Sequence, residues 1–364
     1  MASPNQDLIQ QNNLLTNQNK LLEQINNLLM LQTSKLQSNE VFVNDIDRDE
    51  MRSGFMVTSH RKKLWNVQIG LINEFARICK KHNLKWFACG GTLLGAARHK
   101  GFIPWDDDVD VAMLRPDYNK FVKIAAEEIK YPYFFDNCFN NRLESDETQD
   151  TLENLPYINR EQEAFYFRRT FPSFPVIKIR DSRTTMIEFP DRRDTHQGMW
   201  IDVFPFDVLP PFTEDKHKAD FAVMREIMLA TFRAEFMRKV ISENKKTLLS
   251  YDELKKFLKL PFRQRGVQFD NFMEKKFFRS EKVGDIRQHG LTQGWAYDTK
   301  DFDEIVYLPF ENIEISAPAG WDNVLKSQYG DWHKLVFSPG HTREFFYSAD
   351  IPYTEYIRTS ALMK

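Results

Sequence analysis

The sequence predicts an α/β protein, and three observations support that class. Apolar residues at helical spacing, short runs of apolar and β-branched residues, and a glycine turn between them follow one another from residue 60 to residue 110. A long, mainly helical pattern occupies the second half, and leucine repeats mark the amino terminus. We therefore expect a coiled coil over 1–40, a linker over 41–58, and one domain over 59–364 with a helical insertion at about 214–285.

Leucine recurs at every seventh position in the first 40 residues, which predicts a coiled coil and, through it, a homo-oligomer. Fifteen of these residues are Asn or Gln, so a disordered polar tail is the alternative. The repeat consists of two leucine rows, Leu8, Leu15, Leu22, Leu29 and Leu36, and beside them Leu14, Leu21 and Leu28. The acidic stretch at 44–50 is interpreted as part of the linker that follows.

Periodicity gives the order of elements in the first half of the domain. Apolar residues at helical spacing predict a helix over His60–His82, with Asn83 as a suitable stop, and Lys85–Cys89 predicts a strand. Another helix is expected from Tyr118 to about Ile129. Three later runs of apolar and β-branched residues predict strands, namely Phe174–Ile179, Thr184–Glu188 and Met199–Phe204.

Two segments of this domain read as insertions. Glu144–Glu163 is polar and acidic, which indicates an exposed insertion. Between Lys216 and Lys282, seventeen Lys or Arg residues outnumber nine Asp or Glu residues by eight, on a mainly helical pattern. We interpret this basic segment as a solvated helix surface that covers the sheet, and a docking face for an anionic acceptor or a membrane surface is the alternative.

Composition excludes several classes of protein. The net charge of −2 and the pI near 6.5 argue against a dedicated nucleic-acid binder. Three cysteines without C-x-x-C spacing indicate neither a disulfide framework nor a zinc site. The amino terminus lacks the pattern of a signal peptide, and no long apolar run occurs. We expect a cytoplasmic protein. Peripheral association with the inner face of the membrane is the alternative.

A glycine turn and an acidic run together indicate a site for phosphate and metal. Gly90, Gly91 and Gly95 lack bulk, so an anionic phosphate can approach their backbone N–H groups. Asp108 and Asp110 alternate with valines, and in a strand such carboxylates share one face. Two convergent carboxylates suit Mg²⁺, with Mn²⁺ as a substitute.

A third carboxylate is expected from a later strand. Asp202 lies between Ile201 and Val203, where an isolated buried acid would be costly without a cation. The predicted metal-binding and catalytic trio is therefore Asp108, Asp110 and Asp202. Asp106 and Asp107 follow Pro104, and for them a role in capping a turn is as plausible as a role near the metal.

Three ordered blocks make the chain resemble a known family. They are the glycine turn through Asp110, the run from Trp200 to Asp207, and the segment from Leu308 to Trp332 with its Tyr-Gly-Asp motif. This signature resembles the LicD family of phosphotransferases, and the fukutin-related proteins carry a similar one. The resemblance covers roughly residues 60–335 and implies a nucleotidyltransferase-like fold, a mixed sheet flanked by helices.

The resemblance also implies a reaction. A CDP-activated alcohol, most simply CDP-choline, would donate its phospho-alcohol group to a hydroxyl of a glycan or a lipid-linked glycan, and CMP would leave. Gly90, Gly91 and Thr92 would hold the donor phosphate, while Asp108 and Asp110 would bind the metal. Asp202 would either complete the metal site or take the proton of the acceptor.

Further substrate contacts are expected around these blocks. Arg98 and Lys100, placed on a loop between the turn and the carboxylates, would neutralise the pyrophosphate. Tyr329 and Asp331 of the closing block are also expected to bind substrate. A quaternary ammonium is recognised by aromatic faces, and Trp105 is the first candidate for that contact. The other aromatic candidates are Trp200, Trp295, Trp321, Trp332 and Tyr329.

A different class of function is compatible with the leucine repeat of residues 1–40. A catalytically inactive, nucleotidyltransferase-like scaffold could be oligomerised by its coiled coil. The intact glycine turn and the three aspartates argue against a dead site.

Overall fold

The computed structural model describes residues 45–136, 176–188, 196–209, 215–232, 234–260, 262–275, 281–285, 296–337 and 346–360. The predicted coiled coil and the predicted insertion at Glu144–Glu163 lie outside these residues, as does Trp295. Those interpretations stay predictions.

The described chain combines helices and strands, as the α/β class requires. The helices are α1 (Ser59–Lys81), α2 (Gly90–His99), α3 (Arg115–Glu128), α4 (Asp215–Phe232), α5 (Ala234–Ser242), α6 (Tyr251–Leu258), α7 (Phe262–Lys275), α8 (Trp321–Tyr329) and α9 (Tyr353–Thr359). The strands are β1 (Glu50–Arg52), β2 (Phe55–Val57), β3 (Phe87–Ala88), β4 (Asp110–Leu114), β5 (Tyr133–Asp136), β6 (Ile177–Asp181), β7 (Thr185–Met186), β8 (Trp200–Val208), β9 (Lys282–Gly284), β10 (Tyr297–Asp298), β11 (Ile305–Phe310), β12 (Ile313–Pro318) and β13 (Tyr347–Ser348).

The central sheet is mixed and confirms the expected fold class. Its order is β10-β9-β8-β4-β3, and β6 pairs with β8 while β5 pairs with β6. β4 and β8 are parallel, whereas the other pairs in this sheet are antiparallel. The long strand β8 therefore carries β4 on one side and β6 on the other, so residues from three distant segments meet at its centre.

Helix α1 packs one face on this sheet. Thr58 caps its amino terminus by accepting a hydrogen bond from the N–H of Arg61 at 3.2 Å, and Asn83 follows its end with a φ of 52°. The helix buries a stripe that includes Leu64, Ile69 and Phe75. The helix predicted over His60–His82 is thus confirmed.

Other boundaries differ from the predicted ones for local reasons. The predicted linker contains the hairpin β1–β2, in which Val57 is buried and Arg52 forms an ion pair with Glu311 at 2.5 Å. Helix α3 begins at Arg115, three residues before the predicted start at Tyr118, because a proline fits the first turn of a helix, where its missing N–H is not needed.

The basic segment is helical, as expected, and has a core of its own. Helices α4 to α7 lie within it, and they bury a small apolar cluster separate from that of the main sheet. This cluster consists of Ala230, Ala234, Met237, Ile241, Leu254 and Leu258. Among the described residues, no helix is long and apolar enough to cross a membrane.

Candidate active site

The expected glycine turn is the first turn of helix α2. Gly90 has a φ of +54°, a conformation that side chains with a Cβ rarely adopt. An ideal Cβ on Gly90 would lie 3.2 Å from Asp110 Oδ2, and one on Gly91 would lie 2.6 Å from Asp106 Oδ2. A Cβ at either position would therefore crowd a carboxylate that faces the amino terminus of this helix.

The strands bring Asp110 and Asp202 together. β4 and β8 are parallel with Asp110 opposite Asp202, so both side chains leave the same face of the sheet. The strand β4 begins only at Asp110, but the preceding residues are held in register, because the N–H of Asp202 donates to the carbonyl of Val109 at 2.8 Å. Asp108 and Asp110 are partly exposed while Val109 is fully buried, which is the alternation that the sequence predicted.

Thr92 fixes this arrangement from the helix. Its Oγ1 accepts a hydrogen bond from the N–H of Asp110 at 2.8 Å, and the N–H of Cys89 donates to the carbonyl of Asp110 at 3.1 Å. The start of helix α2 and the start of strand β4 are thus joined by two hydrogen bonds. Thr92 was expected to bind phosphate, and in the structure it also positions the backbone of Asp110.

The side chains of Asp106 and Asp107 lie close to that of Asp108, which a role in capping a turn would not require. Ligand oxygens of Asp106, Asp107 and Asp108 all lie within 4.8 Å of one another. Asp106 is buried, and its pKa is raised well above the usual value, first by burial and then by the charges of Asp108, Asp107 and Asp110. A cation at this place would relieve that repulsion.

Helix α1 holds the backbone of these aspartates, a contribution that the sequence did not predict. Arg61 Nη1 and Trp65 Nε1 both donate to the carbonyl of Asp106, at 2.8 and 3.0 Å, and Gln68 Nε2 donates to the carbonyl of Asp107 at 2.8 Å. The positions 61, 65 and 68 follow helical spacing on one face. A side chain with a nitrogen donor at each of these positions was the feature of the sequence that could have indicated this role.

Asp202 is held by neighbours that the sequence did not single out. Lys178 Nζ lies 2.7 Å from Asp202 Oδ1, and Trp200 Nε1 donates to Asp202 Oδ2 at 2.9 Å. Burial acts against the charge of Lys178, but the charges of Asp202 and Glu188 outweigh it and raise the pKa of the lysine. Lys178 therefore stays charged beside the carboxylate.

Arg98 lies elsewhere than expected, whereas Lys100 follows the end of the helix. Helix α2 continues to His99, so Arg98 is in its last turn, about 12 Å along the axis from Gly90 at 1.5 Å per residue, and Lys100 follows as an exposed cap with a φ of 54°. Arg98 Nη1 donates to the carbonyls of Trp332 and Lys334 at 3.2 and 3.0 Å. The expectation of a loop was wrong for Arg98, which instead anchors the closing segment.

The two expected substrate contacts of the closing block differ in their surroundings. The pKa of the Tyr329 phenol is raised by burial and by the charges of Asp110, Asp106 and Asp108, which places this side chain beside the acidic group. The Tyr329 side chain is also 39% exposed, so it borders the site from the solvent side. Asp331 is exposed, and its carboxylate lies 3.5 Å from His333 Nδ1.

Most of the aromatic candidates have ring faces that contact other side chains of the protein. Trp105 is only 4% exposed, and its ring centroid lies 5.2 Å from that of Phe337. Trp200 carries Lys178 Nζ at 4.4 Å from its ring centroid, and Trp332 stacks on His333 at 3.8 Å. Trp105 thus lies next to the aspartates in sequence but presents little of its face to a ligand.

The donors of the site fit a hard divalent cation. Carboxylate oxygens are the ligands that Mg²⁺ and Mn²⁺ prefer, and the aspartates supply several at one end of helix α2. Burial and the charge of Asp110 raise the pKa of the Cys89 thiol well above its usual value, so Cys89 stays protonated and is a poor metal ligand. The residues present therefore fit magnesium better than a soft metal.

Fold and site define a class of protein. A mixed sheet that brings aspartates to the amino terminus of a glycine-led helix is the arrangement of a nucleotidyltransferase-type domain. Consistent with this, the family model described as "LicD/FKTN/FKRP, nucleotidyltransferase domain" matches residues 83–205. This range includes Gly90, the aspartates from Asp106 to Asp110, and Asp202.

Similar proteins extend this match over most of the chain. The chain is 26% identical over 280 residues to the lipopolysaccharide cholinephosphotransferase LicD of Haemophilus influenzae, which covers 74% of this chain and 89% of that protein. It is 33% identical over 72 residues to an uncharacterised protein of Rickettsia prowazekii, covering 19% of this chain and 27% of that protein. The chain is therefore similar to the LicD family, within residues 83–205 by the family model and over most of its length by the Haemophilus influenzae protein.

Proposed function

We propose that the protein is a phosphotransferase that moves a phospho-alcohol group, phosphocholine first among the candidates, from a CDP-alcohol to a hydroxyl of a cell-surface glycan. One observation supports this most strongly. The register of β4 against β8 sets Asp110 opposite Asp202, and Asp110 also faces the amino terminus of helix α2. The name of the Haemophilus influenzae relative supports choline as the alcohol.

The proposed transfer is a substitution at phosphorus. The acceptor oxygen forms a bond to the phosphorus of the alcohol phosphate, the bond from that phosphorus to CMP breaks, and CMP leaves with the electron pair. The hydroxyl proton passes to a base, for which Asp202 is the candidate. Positioning and charge neutralisation are the main tasks of a protein in such transfers.

The start of helix α2 is suited to the donor phosphates. Gly90, Gly91 and Thr92 carry backbone N–H groups of the first turn, which lack partners within the helix and favour anions. Asp106 and Asp110 face the same turn, so an anionic donor could not bind there without a cation. Asp108 and Asp110, with Asp106 beside them, would hold Mg²⁺, which supplies charge neutralisation on the phosphates when bound.

Donor, acceptor and location follow from the same proposal. CDP-choline, CDP-ethanolamine, CDP-ribitol and CDP-glycerol present the same CDP half, and the acceptor is a glycan or its lipid-linked precursor. We place the reaction in the cytoplasm, with peripheral association at the inner face of the membrane as the alternative location.

The experiment is a donor panel. The full chain is incubated with each CDP-alcohol, Mg²⁺ and a crude glycan acceptor, and CMP is measured by chromatography. We expect one donor to be consumed in a Mg²⁺-dependent reaction, and we expect Asp108→Ala and Asp110→Ala to abolish it while remaining folded. Asp350→Ala is the matched control, because Asp350 is highly exposed and lies outside the site. Full turnover in both site variants contradicts the metal assignment.

Ligand stabilisation separates this proposal from the inactive scaffold. A donor present at about a hundred times its dissociation constant adds about 2.7 kcal/mol to the free energy of unfolding. We expect the thermal midpoint to rise with Mg²⁺ and the correct CDP-alcohol together. An unchanged midpoint with every donor of the panel favours the scaffold.

A further inference from the structure

The ion pair between Lys178 and Asp202 sets Asp202 apart from the other aspartates. Both carboxylate oxygens of Asp202 already have a donor, Lys178 Nζ at 2.7 Å on Oδ1 and Trp200 Nε1 at 2.9 Å on Oδ2. The side chain of Lys178 is 4% exposed and that of Asp202 is 14% exposed. A charged ammonium group so close to the carboxylate repels a second cation at the same oxygen.

Lys178 is itself held on several sides. Its Nζ lies 3.4 Å from Glu188 Oε1 and 4.4 Å from the centroid of the Trp200 ring. Strand β6 carries it directly opposite Asp202 in the antiparallel pairing with β8. A lysine with these contacts has little freedom to leave the carboxylate when a metal binds.

Three of the other aspartates form a group that could hold a metal without Asp202. Ligand oxygens of Asp106, Asp107 and Asp108 lie within 4.8 Å of one another, and Asp106 and Asp110 both face the first turn of helix α2. The cation that the proposed function requires thus has carboxylates at hand on the side of β4. Asp202 lies across on β8, with its charge balanced by the lysine.

We infer that Lys178 is a positioning residue that, together with Trp200, withdraws Asp202 from metal binding and directs its carboxylate to the acceptor hydroxyl. This inference rests on the proposed function and divides the site in two. Asp106, Asp107 and Asp108 hold the metal on the donor side with Asp110 beside them, and Asp202 orients the incoming hydroxyl by accepting its hydrogen bond. Lys178 touches neither substrate and acts through Asp202.

Metal affinity tests this division without relying on turnover. Mn²⁺ alone is titrated into the full chain by calorimetry, and CMP release is measured separately. For Asp108→Asn we expect a Mn²⁺ dissociation constant at least about tenfold higher. For Asp202→Asn we expect it to stay within about threefold of the wild type, while CMP release falls by about 100-fold or more.

Variants of the lysine test its positioning role. Lys178→Met is expected to lower kcat about 10- to 100-fold with little change in the donor KM and without weakening Mn²⁺ binding, and Lys178→Arg is expected to restore part of kcat. Lys62→Met is the matched control, since Lys62 is equally buried and lies 3.2 Å from Glu50 Oε2, outside the site. If Lys178→Met does not fold, Asp202→Asn decides the question alone.

The results that overturn the inference are distinct from a failure of the proposed function. A loss of Mn²⁺ affinity in Asp202→Asn as large as that in Asp108→Asn makes Asp202 a metal ligand and refutes the division. A wild-type chain that binds no Mn²⁺ refutes it as well. A chain that shows the expected Mn²⁺ pattern but consumes no CDP-alcohol leaves the division of ligands standing and refutes the proposed reaction.

Discussion

The substitution Gly91→Ala tests whether the first turn of helix α2 is shaped by the carboxylates. An ideal Cβ on Gly91 would lie 2.6 Å from Asp106 Oδ2, whereas ordinary van der Waals contact starts at 3.4 Å, so the carboxylate has to move by the difference of 0.8 Å. A displacement of about 1 Å at a catalytic centre lowers the rate by about 100-fold. We therefore expect about that loss of CMP release and a clear loss of Mn²⁺ affinity.

Stability should change little in the same variant. The group that must move is a side chain, and alanine favours a helix over glycine by about 1 kcal/mol. Urea unfolding should therefore give a free energy of unfolding within about 1 kcal/mol of the wild type. Calorimetric Mn²⁺ titration and the CMP assay complete the measurement.

Two other glycines of helices provide controls. An ideal Cβ on Gly95 would lie 2.5 Å from the carbonyl of Gly101, a backbone atom, so Gly95→Ala should lower the free energy of unfolding by about 1–3 kcal/mol. The nearest atom to a Cβ on Gly70 is Tyr133 Oη at 3.9 Å, so Gly70→Ala should keep the Mn²⁺ affinity and turnover of the wild type and raise the free energy of unfolding by about 1 kcal/mol. Normal Mn²⁺ affinity and turnover in Gly91→Ala would refute the reasoning.

Three further outcomes are expected. Arg115 and Asp207 form a buried bidentate pair at 2.7 Å, and Asp207→Asn should lower the free energy of unfolding in urea by about 3–5 kcal/mol; a loss below about 1 kcal/mol would contradict this. Burial lowers the pKa of His196 to about 2, so the unfolded chain binds a proton near pH 6.5 while the folded chain does not. The contribution of His196 to the free energy of unfolding should be full above pH 6.5 and fall by about 1.4 kcal/mol per pH unit toward pH 2. His196→Gln should therefore flatten the slope of the free energy of unfolding in urea between pH 6.5 and 4.5. Equal slopes in the variant and the wild type would argue against a neutral buried histidine. Removing residues 1–40 should give a smaller assembly in light scattering, and an unchanged mass would defeat the predicted coiled coil.

Local patterns were sufficient to predict the fold class and where several of the candidate residues lie. Apolar spacing located helix α1, and the alternation at 108–110 indicated the face from which Asp108 and Asp110 emerge. The isolated acid at Asp202, flanked by apolar residues, indicated a third carboxylate, and the structure sets it opposite Asp110. These features depend on neighbours within a few residues, which a sequence displays.

Contacts between distant segments could not be predicted in this way. Lys178 meets Asp202 only because β6 and β8 are neighbours in a specific register, and a lysine inside an apolar strand carries no sign of its partner. Arg61 and Gln68 reach the backbone of the aspartates through the packing of helix α1 on the site. The position of Arg98 was missed for a local reason, because the glycines that suggested a turn open a helix that extends to His99.

The most direct test of the account is Mg²⁺-dependent CMP release from CDP-choline by the full chain, compared with that by Asp110→Asn. Asp110 is the residue that faces both Asp202 and the first turn of helix α2, so its carboxylate is common to every part of the proposed site. We expect the wild-type chain to release CMP from CDP-choline even when the other CDP-alcohols are present as competitors. We expect a folded Asp110→Asn variant to release none. Undiminished release by that variant, or no release from any CDP-alcohol by the wild type, would contradict it.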